Sequence, residues 1–137
     1  MHMKRVAVTA LIVAVLAWPA VLLAAGSLPG TYTGTITRRP PLTGTWRLRF
    51  TREPKSHGHT ESGSFAFTLR GKLIEHGVYS IAGDHIAFTD DTGTGCNAAG
   101  EVYYWHLAGR KLSFSAISSP PCLSRALLLQ NYFTKIA

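Results

Sequence analysis

A two-residue alternation governs what this chain can fold into. Between residues 31 and 117, apolar side chains recur at every second position in a series of short runs, and no convincing 3.6-residue period runs longer than about two turns. Tyr32, Gly34 and Ile36 alternate with threonines over 31–37, and Trp46, Leu48 and Phe50 alternate with Thr45, Arg47, Arg49 and Thr51 over 45–51. Phe65, Phe67 and Leu69 share one side of 64–70, Tyr79 and Ile81 one side of 73–81, and Ile86 and Phe88 one side of 84–90. Tyr103, Trp105 and Leu107 do the same over 101–107, as do Leu112, Phe114 and Ala116 over 111–117, and a last strand is expected at 131–136. Each run predicts an extended strand with one buried face, eight in all.

Gly71-Lys72, Gly83-Asp84 and Gly109-Arg110 read as tight hairpin turns, which makes neighbouring strands antiparallel. Pro120-Pro121 ends the seventh strand and leaves space over 122–128 for one or two helical turns. An open meander of this length has two unpaired edges and an apolar face, and the chain has no amphipathic helix to cover them. Closure into a barrel removes both problems. The predicted fold is all-β, an eight-stranded antiparallel up-and-down barrel, with a two-sheet sandwich as the rival that period two also permits.

The front of the chain is of another kind. Lys4 and Arg5 precede 6–25, a stretch without charge, and the small residues Ala24, Ala25, Gly26 and Ser27 follow at its exit. That is the layout of a secretory signal peptide, and the run is also long enough to stay as an uncleaved anchor. Residues 1–26 are therefore an address and 27–137 a barrel domain outside the cytoplasm, secreted or in the periplasm or cell envelope. Contact with a membrane is expected only through the first segment, if it is uncleaved. Both cysteines, Cys96 and Cys122, fall in the exported part, where an oxidising compartment favours one disulfide.

Residues 77–134 resemble small secreted bacterial proteins with a lipocalin-like, calycin-type barrel. The likeness is carried by G-V-Y-S-I-A-G-D-H-I-A-F-T-D-D-T-G-T-G-C, by Y-Y-W-H-L-A-G-R-K-L-S-F, by P-C-L-S-R-A-L-L-L and by a late F-T. The resemblance implies a calycin barrel and a Cys96–Cys122 pair, and it transfers no catalytic residue. Gly44-Thr45-Trp46 is similar to the lipocalin G-x-W element, displaced from the first strand to the second.

Ten aromatics fall on the inward face: Tyr32, Trp46, Phe50, Phe65, Phe67, Tyr79, Phe88, Tyr103, Trp105 and Phe114. They either fill a solid core or line a small apolar pocket, and they are the candidate ligand-binding residues. Arg38, Arg39, Arg47, Arg49, Arg52 and Lys55 form a basic patch in the first third of the barrel. The aromatics between these cations point inward, so stacking on nucleic acid is not expected, and an anionic envelope component fits better. His57-Gly58-His59 invites a transition metal without supplying enough ligands, and the acidic turn at 90–95 lacks the donor spacing of a calcium loop. His76, His85 and His106 fall on the outward face, and no nucleophile motif accompanies them. No cofactor, metal site or catalytic residue is expected. The sequence points to an exported binding protein for a small apolar or amphipathic ligand. The alternatives are an inhibitor-like or interaction barrel of the envelope and an enzyme at the barrel mouth.

Overall fold

The structure, a computed structural model, describes residues 27–54, 60–89, 101–117 and 122–137. Eight strands follow one another: β1 (Gly30–Ile36), β2 (Gly44–Arg52), β3 (Thr60–Leu69), β4 (Lys72–Ala82), β5 (His85–Thr89), β6 (Glu101–Ala108), β7 (Lys111–Ala116) and β8 (Phe133–Lys135). One short helix, α1 (Leu123–Leu129), lies between β7 and β8. Each strand pairs antiparallel with the next and β8 returns to β1, so the sheet is a closed barrel, consistent with a lipocalin-like fold. The β1–β8 pairing excludes the sandwich. The leader at 1–26 lies outside the described residues.

Closure is made by the shortest strand. Tyr32 pairs with Lys135 and Thr33 with Thr134 on one side, and Lys111 pairs with Thr134 and Leu112 with Phe133 on the other. The chain end prolongs this ladder: Thr31 donates its N–H to the Ala137 carbonyl and Ile136 donates to the Thr31 carbonyl, each at 2.8 Å. Phe133 is fully buried against Gly34, where a Cβ would come within 2.7 Å of the ring. The missing side chain is what lets the last strand approach the first.

Because the meander reverses direction at each turn, its connections sort into two ends. The β1–β2 loop, the β3–β4 turn and α1 gather at the helical end. At the other end Leu28 is buried and accepts a hydrogen bond from Tyr32 Oη at 2.6 Å, while Tyr79 Oη donates to Glu61 Oε1 at 3.1 Å. Burial, and then the Glu61 charge, push the Tyr32 hydroxyl up to about 12 and that of Tyr79 higher still, so both stay protonated donors.

One irregularity matters for the site. The β3–β4 register slips between Phe67 and Thr68: Phe67 faces Glu75, Thr68 faces Leu73, and Ile74 is the extra residue of a bulge. Leu73 is thereby turned outward, 49% exposed, and Glu75 falls on the inward row with Tyr79 and Ile81.

Candidate functional site

Nine of the ten candidate interior aromatics are buried, and Trp105 is half-buried at the rim, its Nε1 donating to the Gly83 carbonyl at 3.0 Å. Phe50 and Phe88 stand at the centre. Phe50 meets Tyr32, Phe67, Tyr79, Phe88 and Phe114 at centroid distances of 5.5 to 6.5 Å. Phe88 meets Phe65, Phe67, Tyr103 and Phe114 at 5.0 to 6.3 Å. Edge-on and tilted contacts at these distances are those of a packed aromatic core. Among the described residues these rings pack the midsection of the barrel, as the narrow interior of eight strands allows.

The polar chemistry lies at the helical end. Arg125, Leu128 and Leu129 recur at i, i+3 and i+4 and form the buried face of α1. Where leucine would extend that apolar stripe, Arg125 places a fully buried guanidinium inside the barrel, 5.3 Å from the Phe88 ring and 6.0 Å from the Phe65 ring. Its Nε donates to Glu75 Oε1 from β4, and its Nη1 lies 3.5 Å from Glu101 Oε2 of β6. The Cys122 N–H, just ahead of α1, donates to the same Glu101 oxygen at 3.3 Å.

One buried cation between two buried carboxyls is neutral only when one carboxyl keeps its proton. Burial pushes Glu101 up to about 7; the Cys122 N–H works against this and the Glu75 charge adds to it. Burial raises Glu75 too, while the charge and hydrogen bond of Arg125 pull it back. Glu75 makes the closer contact, so it is the carboxylate of the ion pair, and Glu101 is the member that holds the proton near neutrality. Glu101 Oε1 and Tyr103 Oη, both buried, have no hydrogen-bond partner among the described residues.

Beside this cluster the β1–β2 loop, β3, β4 and α1 enclose a groove of about 320 Å³. Pro41, Leu42, Trp46, Leu69, Ile74 and Leu128 form its apolar walls, and Glu75 and Ser124 are its polar members. Trp46 Nε1 donates to the Leu42 carbonyl at 2.7 Å, which fixes the loop wall against the barrel. Sequence reasoning placed Trp46 inward but passed over Glu75, Glu101 and Arg125. Strand parity with Tyr79 and Tyr103 marks both glutamates as inward, and the helical spacing to Leu128 and Leu129 marks the arginine.

The basic patch is distributed over the molecule. Arg47 and Arg49 share an outer groove of about 600 Å³ with Arg70, a cation outside the six of the expected patch. Arg38 and Arg39 are exposed in the loop at the helical end, Arg52 ends β2 at the opposite end, and Lys55 lies outside the described residues. His76, His85 and His106 are exposed on β4, β5 and β6. His57, His59, the turn at 90–95 and Cys96 also lie outside the described residues, and Cys122 is buried with its Sγ 3.4 Å from Ser124 Oγ. Among the described residues no group of three His, Cys, Asp or Glu is placed to hold a metal ion.

With the site laid out, its class follows from geometry: a closed antiparallel barrel with a helix over one end and an ionic cluster beneath that helix. No protein-family model, curated protein or solved structure matches the chain.

Proposed function

We propose that this is an exported, lipocalin-like barrel that binds a small amphipathic molecule in the groove at its helical end. Glu75 carries the reading. It is a carboxylate set, with Ser124, in a mainly apolar wall and held through Oε1 by Arg125, so a bound molecule meets an acceptor of fixed position. The packed midsection keeps the ligand at the end of the barrel, and of the ten inward aromatics Trp46 alone lines this groove. A hydroxyl or protonated amine matches Glu75, whereas a carboxylate head would face its charge. The leader at 1–26 supports export, and an oxidising destination supports pairing of Cys96 with Cys122.

The test makes Trp46 the sole indole, by W18F and W105F, and titrates decylamine, 1-decanol and decanoate. The amine and the alcohol are expected to quench Trp46 saturably with one-to-one stoichiometry by native mass spectrometry, and decanoate about tenfold more weakly. Filling the groove with Ser124→Phe is expected to abolish the quenching. Silence from all three probes, or quenching indifferent to Ser124→Phe, overturns the reading.

A further inference from the structure

We infer that the outer wall of β1, β2 and β3 is a second binding surface, for a polysaccharide bearing carboxylate groups. Arg47 and Arg49 project from the same side of β2, about 6.6 Å apart along the strand. Arg47 faces Thr68, and the Arg70 N–H donates to the Thr45 carbonyl at 3.1 Å, so Arg70 continues the row diagonally at about 7–8 Å. Arg70 also lies over Gly44, where a Cβ would approach its Nε to 2.9 Å. Three guanidinium groups thus step across a concave surface of about 600 Å³ whose other lining groups include Thr31, Thr45 and Thr68.

No acid among the described residues answers them. Of the described acids, Glu75 and Glu101 are inside the barrel, Glu53 and Glu61 lie at the end away from the helix, and Asp84 sits in the β4–β5 turn. Among the described residues none of the three guanidinium groups is paired with a carboxylate. The ligand must supply the negative charge, and repeated cations at this spacing call for an extended polymer rather than one small ion. Guanidinium forks bind carboxylates through paired hydrogen bonds, and flanking threonine hydroxyls suit sugar hydroxyls. A nucleic acid would ask for outward aromatics, and an anionic bilayer for an apolar side chain to enter it. The groove has neither.

The full chain is tested against polygalacturonate, with dextran, phosphatidylglycerol vesicles and oligo-dT as the competing classes. Polygalacturonate is expected to bind saturably at 0.1 M NaCl and to be released at 1 M, as the screening length falls from about 10 to about 3 Å. R47E/R49E is expected to weaken binding at least tenfold and R47K/R49K, which keeps the charge but loses the paired hydrogen bonds, to fall between it and wild type, both with unchanged near-ultraviolet dichroism. Binding that survives charge reversal, equal binding of dextran, or binding of vesicles or oligo-dT without polygalacturonate overturns the assignment. Trp46 quenching by decylamine persists in R47E/R49E, so this surface and the helical-end groove are judged separately.

Discussion

Glu101 shows at the scale of one residue what the barrel demands of its polar groups. Its carboxyl is 3% exposed and holds its proton up to about pH 7, whereas the unfolded chain releases it near 4.5. At this carboxyl the fold therefore binds more protons than the unfolded state between these values, so its contribution to stability is full below about pH 4.5 and is lost as pH rises through 7. The difference corresponds to about 3 kcal/mol, with Glu75 acting in the same direction. Urea unfolding of wild type between pH 4.5 and 8 is expected to show this decline, and Glu101→Gln, which cannot ionise, to flatten most of it. A wild-type stability that rises with pH over this window contradicts the assignment. The position was legible by parity with Tyr103, but the habit of carboxyls to face water argues the other way. What decides the matter is Arg125, 24 residues further on, and nothing local in β6 announces it.

At the scale of elements, α1 is joined to β4 and β6 by a charge as well as by leucines. Removing a partner from a buried pair leaves an uncompensated ion, at a cost of about 3–5 kcal/mol, whereas replacing all members by neutral groups can cost little. Arg125→Met is accordingly expected to lose that much stability at pH 8 in urea denaturation, and Arg125→Met combined with Glu75→Gln and Glu101→Gln to recover most of it. Equal losses in the single and triple variants would mean that the arginine serves only as volume. The helix itself was legible from the double proline that ends the seventh strand. The bulge was not: residues 73, 75, 77, 79 and 81 share one parity, so the pattern alone puts Leu73 inside. Only the slip opposite Thr68 turns it outward and keeps Glu75 in the inward row.

For the molecule as a whole, the consequential step is closure. Alternation in single strands could not choose between sandwich and barrel, because that choice depends on whether β1 meets β8, a contact between residues about a hundred positions apart in the chain. The clue was small: Gly34 is a gap in the inward row of Tyr32 and Ile36, and Phe133 fills it. Such distant pairing contributes only after the intervening strands are ordered, so it forms late and opens first. Gly34→Val keeps a good strand former in β1 yet places carbon where Phe133 Cδ1 and the Tyr132 carbonyl stand, 2.7 and 2.9 Å from a Cβ. The barrel is then expected to part along β1 and β8, exposing two edges. Amide exchange is expected to accelerate in β1 and β8 while the β2–β4 ladder stays protected, and self-association is expected to rise with concentration. Thr35→Val, one residue away on the exposed face and outside the β1–β8 pairs, serves as the control and leaves exchange unchanged. If Gly34→Val accelerates exchange uniformly, closure and core form a single cooperative unit, and the seam between first and last strands is not where this barrel opens.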